Sequence, residues 1–227
     1  MDAWSILGAA LQSDPGRPLL TMYDDAPALG SERIELSVTT FANWVSKTAN
    51  FLVDELTLEP GEPVAVPLPA HWQTAVIEAA VLVAGGTLAA AGTLIATGGS
   101  APARITCWLE GTELPSDPAV EEIVGLALRP MGLGLRSAPP GVLDYAVDVR
   151  AHGDHFSPRY PAAEVDVTPL ADRVLTDRLD PLWPALAGGG SLVLCRHPDP
   201  AALSRRAEME RVTATVGLTV MGLPQLG

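Results

Sequence analysis

Lysine is nearly missing from this chain: Lys47 is the one lysine among 14 basic residues, which face 27 acidic ones and leave a net charge of −13 over 227 residues. So negative a chain repels phosphate backbones and anionic lipid, which argues against nucleic acid as a partner. Cysteine is scarce as well. Cys107 in ITCWLEG and Cys195 in SLVLC lie in apolar runs that read as buried strands, so both are expected as reduced core thiols and not as a disulfide. No basic region precedes the short apolar stretch of MDAWSILGAALQSDPGR, which excludes a secretory signal and points to the cytoplasm. Charge is absent from Ala79 to Ala103, a length that spans a bilayer. Yet Gly85, Gly86, Gly92, Gly98, Gly99 and Pro102 interrupt it, and Ala and Thr dominate over Leu and Phe, so no membrane span is expected.

What is present is an alternation of strand and helix signals. After a short helix around Ala3 to Leu11, RPLLTMYDD (17–25) and SERIELS (31–37) read as a hairpin turning at APALG. A helix then starts near Val38, capped by Ser37 or Thr39, because Phe41, Trp44, Val45, Thr48, Leu52, Val53 and Leu56 recur at spacings of three and four. Val64 to Val66 is a short buried strand. Trp72, Val76, Ala79, Ala80 and Val83 mark a face of the next helix, which Gly85-Gly86 ends before the strand TLAAAG. This βαβ order implies a parallel pair covered on both faces. RITCWLEG (104–111) and IVGLALRP (123–130) read as strands, with at most a short helix in DPAVEE (117–122). PMGLGLRSAPPGVLD (130–144) has the Gly and Pro density of an exposed connection, and AVDVRAHGDHFSPRYPAAEVD has little period of either kind. The chain is therefore expected as one domain with an N-terminal lobe over 1–135, a linker over 136–169 and a C-terminal lobe over 170–227. The last lobe reads DRVLT (strand), PLWPALA (helix), GGG, SLVLC (strand), a helix capped by Asp199 with Pro200 behind it, and the strand TATVGLTV. No internal repeat is evident.

Gly188, Gly189 and Gly190 invite comparison with a phosphate loop. Such a loop runs from strand to helix, so that helix N-terminal N–H groups point at the anion. Here the glycines follow a helix and precede a strand, where a helix end needs a positive φ. Their expected role is structural.

With these elements placed, TTFANWVSKTANFLVDELTLEPGEPVAVPLPAHWQTAVIEAAVLVAGGTLAA resembles the opening of the AMP-forming acyl-CoA synthetase and adenylation-domain (ANL) superfamily. The matching residues are Thr40-Phe41, Ala49-Asn50, Leu58-Glu59-Pro60-Gly61-Glu62 and Val64-Ala65. DRVLT and PLWPALAGGGSLVLCRHPDPAALSRRAEMERVTATVGLTVMGLPQL resemble a later family segment. Together these framework stretches cover a little over half the chain. The resemblance implies the family's N-terminal domain alone, shortened: an α/β fold of mostly parallel, mixed sheets with helices on both faces. The family's chemical motifs are the part without a counterpart. Nothing from Leu109 to Pro169 resembles its phosphate loop, Thr-Ser-Gly-Thr-Thr-Gly-x-Pro-Lys. Its Tyr-Gly-x-Thr-Glu and Thr-Gly-Asp motifs and its small C-terminal domain would lie beyond Gly227. Lys47, inside the first long helix, matches neither family lysine, and the usual Pro-Leu-Phe-His stretch appears as Asp180-Pro181-Leu182-Trp183.

Other polar groups carry chemistry of their own. His152, Asp154 and His155 in AHGDHFSP stand close enough to ligate a metal if further ligands came from elsewhere, but a solvated turn is the expected reading. His71, at a helix start, and His197, after a strand, each stand alone. Ser157, Ser191 and Ser204 lack the Gly-x-Ser-x-Gly setting of a hydrolase nucleophile. Asp144 and Asp148 in LDYAVDV share a possible strand, where paired carboxylates work as acid and base. No residue is assigned as catalytic, cofactor-binding or metal-ligating, and no cofactor is expected. The expected function is a non-catalytic binding or interaction protein. Its rivals are a partial acid-activating enzyme completed by a partner chain and a separate activity built at the 140–160 loop. A free edge at TATVGLTV, the apolar MGLPQL after it and a hydrophobic fraction of 48% point to a covering partner, a homodimer first, with a small-molecule ligand also compatible.

Overall fold

The computed structural model describes residues 1–26, 32–89 and 103–226. Asp2 caps α1 (Ala3–Ser13), its carboxylate accepting from the Ser5 amide at 2.9 Å and the Ser5 hydroxyl at 2.6 Å. β1 (Pro18–Asp24) and β2 (Glu32–Ser37) form the antiparallel hairpin, and residues 27–31 of its turn lie outside the described residues. Ser37 caps α2 (Val38–Asn50), accepting from the Thr40 amide at 3.1 Å, while the Thr39 hydroxyl donates to the Pro15 carbonyl instead. A π-helical turn, Phe51–Glu55, continues α2.

β3 (Pro63–Ala65), α3 (Trp72–Val83) and β4 (Thr87–Leu88) make the expected βαβ unit, with Pro63 opposite Thr87. The strand expected over TLAAAG (87–92) is seen at Thr87–Leu88, and its residues 90–92 lie outside the described residues. β5 (Ile105–Leu109), β6 (Glu122–Leu126) and β7 (Val142–Asp144) complete a parallel sheet of order β4-β3-β5-β6-β7. β7 corrects the reading of 130–144 as an exposed connection. Val142 is buried against Gly125 of β6, where a Cβ would meet the valine methyl at 2.7 Å, so the strand is held by packing too short to show a period. Part of the linker expected over 136–169 forms regular structure. α4 (Tyr145–Asp148) and a 3₁₀ turn, Val149–Ala151, bury Tyr145 and Val149, and the Tyr145 hydroxyl sits 2.8 Å from that of Thr48. DPAVEE forms a turn rather than a helix.

The second sheet contains β8 (Arg173–Thr176), β9 (Ser191–Arg196) and β10 (Ala214–Val216), with α5 (Leu182–Gly188) and α6 (Pro200–Met209) between them. Its order is β10-β8-β9-β1-β2, parallel except for β2. The N-terminal hairpin thus belongs to the C-terminal sheet, so the sheets do not divide where the lobes were drawn. Along β9, Leu192 and Leu194 enter one hydrophobic cluster while Val193 and Cys195 enter another. That period of two places a core on each face, the pattern of a parallel sheet covered on both sides. The larger cluster joins α1, α2 and α3 to both sheets, and ten of the twelve α3 residues are buried, as in a helix enclosed on all sides. α6 covers the opposite face of the second sheet through Leu203 and Ala207. Cys107 and Cys195 are buried free thiols.

The edge at β10 differs from expectation. Thr215 donates its amide to the Pro224 carbonyl at 2.9 Å and Leu226 donates to the Thr215 carbonyl at 2.8 Å, so the chain folds back and pairs with its own final strand. Just after α6, Glu210 accepts hydrogen bonds from Tyr23 of β1 (2.5 Å), Arg33 of β2 (3.0 Å) and Arg173 of β8 (2.6 Å). Burial pushes this carboxyl up, but the three donors outweigh it and hold the group at about 2.

Gly189 has φ +80° and ends α5, as the sequence order requires. Its neighbours are small for a different reason: a Cβ on Gly188 or Gly190 would collide with the backbone around Leu170. Gly189→Ala is expected to cost about 1 kcal/mol, which lowers Tm by roughly 2–4 °C in a chain of this size. Gly188→Ala and Gly190→Ala should lower it further. Thermal unfolding of the three variants checks this, and an unchanged Tm at 188 or 190 would contradict the packing.

Candidate functional site

Open parallel sheets bind ligands outside the carboxyl ends of their strands. There β1 ends in Asp24, 4% exposed, and β9 ends in Arg196. Arg196 Nη1 donates to Asp24 Oδ2 at 2.9 Å, and His197 Nδ1 stands 2.9 Å from Asp24 Oδ1. The next carboxylate, Asp25, takes both terminal nitrogens of Arg206, at 2.9 and 3.0 Å. The Arg206 guanidinium lies 4.1 Å from the Tyr23 ring centroid, a cation–π contact. Burial opposes both charges of this pair, but their mutual hydrogen bonds prevail, leaving Asp25 below and Arg206 above their ordinary values. Past β8, Arg178 pairs with Asp180 at 3.2 Å.

The first sheet brings the N-terminus of α3 to the same edge. His71 is fully buried and caps the helix, its Nδ1 accepting from the Gln73 amide at 3.2 Å, so the ring proton sits on Nε2. Burial first, then the charge of nearby Arg196, pushes the imidazole down to about 3, which keeps it neutral. His71 Nε2, Trp72 Nε1 and Gln73 Oε1 are buried without hydrogen-bond partners among the described residues. The turn Pro130–Gly132 packs on them: a Cβ at Gly132 would meet the Trp72 ring at 3.1 Å. The Met131 amide donates to Glu32 at the start of β2, tying the two sheets together here. Backbone strain collects at this edge. Leu128 (φ 47°), Met131 (φ 60°) and His197 (φ 46°) hold left-handed conformations just past β6 and β9.

The residues weighed from the sequence fall elsewhere. His152 Nε2 faces Glu55 at 3.1 Å, His155 faces the Ser157 hydroxyl at 3.4 Å, and Asp154 is exposed. Among the described residues no group of three or more His, Cys, Asp or Glu side chains is placed to hold a metal ion. Asp144 and Asp148 do not share a strand. Asp144 caps α4 and accepts the Leu135 and Ala146 amides, and Asp148 lies within the helix. Ser191 accepts from Arg173, and Ser204 is exposed on α6. Lys47 donates to the His152 carbonyl at 2.8 Å. What the sequence reading missed is the placing of His71 near Asp24 and Arg196, with His197 on the same aspartate, which single residues at helix and strand ends do not announce. No described helix is long and apolar enough to cross a membrane.

Because His71 is held neutral with its value far below that of an unfolded histidine, the unfolded chain binds the extra proton as pH falls. Stability carried by this group is present above pH 6.5 and lost progressively toward pH 3. Between pH 7 and pH 5 its share is about 2 kcal/mol, at about 1.4 kcal/mol per pH unit. His71→Asn keeps a capping acceptor and removes the titration. Urea midpoints at the two pH values should show the parent losing more stability on acidification than the variant; equal losses would contradict the buried neutral ring.

No family model matches the chain. Among solved structures, an acyl-CoA synthetase from Brucella canis superposes with a TM-score of 0.73 at 14% identity, over 96% of this chain and 47% of that one. Coronafacic acid ligase from Pectobacterium brasiliense gives 0.68 at 10% identity over 96% and 50%. An amide bond synthetase from Marinactinospora thermotolerans gives 0.61 at 16% over 94% and 48%. The chain therefore spans about half the length of these proteins and shares their fold, as the framework motifs lead one to expect. A protein of Mycobacterium tuberculosis described as a TIGR03089 family protein is 37% identical over 243 aligned positions, covering 92% of this chain and 95% of its own length. On that identity, across nearly all of both sequences, the chain belongs to the TIGR03089 family, and it has the fold of the synthetases and ligase named above.

Proposed function

We propose that the chain is a non-catalytic binding or interaction protein that retains the synthetase framework without its adenylation chemistry. The observation that carries this reading is the state of the cations at the carboxyl edge of the second sheet. Stabilising charge on a transferring polyphosphate needs free cations and aimed N–H groups. Arg178, Arg196 and Arg206 each already face an aspartate, and Lys47 is committed to a carbonyl. Residues 27–31 and 90–102 contain no basic residue, so they add no cation of their own. This donor set does not fit a nucleotide triphosphate with its metal, and no step is derived through one.

The rival reading, an acid-activating enzyme completed by a partner chain that brings the phosphate loop and lysine, rests on the chain's spanning about half of the synthetase structures. The purified chain is expected to give no ATP-dependent pyrophosphate exchange and no AMP from a panel of fatty and aryl acids. Turnover above a no-protein control would overturn the non-catalytic reading.

A cytoplasmic setting without a bound cofactor accords with this reading. So does a protein partner, with a homodimer the simplest case. Exposed Met131, Leu133 and Val147 supply apolar surface for it, on two segments joined by the hydrogen bond from Arg150 to the Gly132 carbonyl. Light scattering on a sizing column is expected to give twice the 23.7 kDa chain mass, and Val147→Glu with Met131→Glu to halve it. A monomer at concentrations on the order of 10 micromolar, where an interface of ordinary size persists, would count against the homodimer.

A further inference from the structure

β2 lies at the edge of the second sheet, and among the described residues the backbone of 32–36 bonds only to β1. A bare edge invites another strand, and proteins usually blunt one with proline, lysine or a bulge. The sequence ERIELS has neither proline nor lysine, and the irregularity in the hairpin register falls at its far end, between Pro18 and Leu20 of β1. Its charges alternate in sign instead. Arg33 and Glu35 share the exposed face of the strand, while Ile34 and Leu36 turn toward the core.

Both charged side chains keep capacity for a further partner. Arg33 donates through Nε to Tyr23 and Glu210 and through Nη2 to Glu35 at 2.8 Å, which leaves Nη1 unused among the described residues. The two side chains are 45% and 36% exposed. Apolar surface flanks the strand on each face. The amide of Met131, 81% exposed, donates to Glu32, and Met209, 65% exposed, adjoins the Glu210 that takes Arg33.

The pleat restricts how a second copy can meet this edge. A two-fold axis joining two edge strands runs normal to the sheet, so each residue faces one whose side chain lies on the same side. With side chains alternating at period two, the axis must pass through a residue position. Centred on Arg33 it opposes two arginines, and centred on Glu35 two glutamates, and like charges directly opposite destabilise a pair. Centres nearer either end pair only a few residues. Centred on Ile34, the axis sets Arg33 of each copy against Glu35 of the other, with the two isoleucines side by side between them. We propose that two copies of this chain pair through β2 in that antiparallel register, joining their five-stranded second sheets into one continuous sheet. The proposal rests on the homodimer named above and adds its interface and register. Each copy carries −13, a repulsion that physiological salt screens beyond about 8 Å, whereas the opposed pairs are in contact.

Sedimentation equilibrium of the full chain gives the dimer dissociation constant. Glu35→Arg should raise it at least about tenfold in a protein that still unfolds cooperatively, because arginine then faces arginine on both sides of the axis. If that variant does not fold, Glu35→Gln takes its place, with a smaller rise. Ile34→Cys reads the register: Cys107 and Cys195 are buried, so mild oxidation or a short bismaleimide should join residue 34 to its copy at twice the 23.7 kDa chain mass. Leu114→Cys, between β5 and β6, should stay uncrosslinked. A dimer that is equally tight without the Glu35 carboxylate, or that does not crosslink at residue 34, would overturn the β2 interface and leave the homodimer standing. A monomer at about 10 micromolar would overturn both. The non-catalytic reading is judged separately, by pyrophosphate exchange.

Discussion

A single carboxylate, Glu210, holds the second sheet to both ends of the chain. Tyr23, Arg33 and Arg173 reach it from three strands that are distant in sequence, and Arg173 also donates to Thr21 and Ser191. The Glu210 side chain is 9% exposed, so water cannot replace a missing donor easily. Such a group is stable only while its partners are all in place, because removing one leaves a buried charge to be met by the rest. Hairpin, crossover strand and α6 therefore depend on one another through a residue that sits in a turn and has no catalytic claim.

The two ends of this sheet use charge in opposite ways. At the carboxyl end, acid and base are matched internally, Asp24 with Arg196 and Asp25 with Arg206, and His197 leaves β9 in a left-handed conformation. At the amino end, Arg17 is left without a carboxylate beside a cavity. Charge matching of the first kind stabilises a closed framework, whereas an unmatched buried donor costs stability.

The elements whose signals are local were legible from the residues. Ser37 and Asp199 cap the helices they precede, Gly189 ends α5 with a positive φ, and the period of α2 marked the right face. The βαβ unit and the resemblance of two framework stretches were enough for the fold. The misses are long-range. β7 and α4 are three and four residues long, too short for any periodicity, and form because Val142 and Tyr145 find partners on Gly125 and Thr48. The site at the carboxyl edge escaped notice for the same reason: His71, Asp24 and Arg196 each stand alone in sequence, and only the fold brings the neutral His71 ring near the Asp24–Arg196 pair. Arg17 was hidden likewise, its partner Gly190 being 173 residues away.

The position of β1, between β2 and β9, has a consequence for how the protein is made. Asp24 and Arg196 at the ends of those paired strands are separated by 172 residues, so the centre of the second sheet is a contact of nearly the longest range the chain allows. Closing so large a loop comes late and slowly. During synthesis the hairpin leaves the ribosome with one edge bare and must wait for almost the whole remaining chain before β9 can cover it. For that interval Leu20 and Met22, which end in the core, are exposed on an open strand. The nascent chain thus carries an unpaired apolar edge from its first strands onward, and cutting the gene between the two sheets' segments would yield two pieces, neither of which carries a complete second sheet.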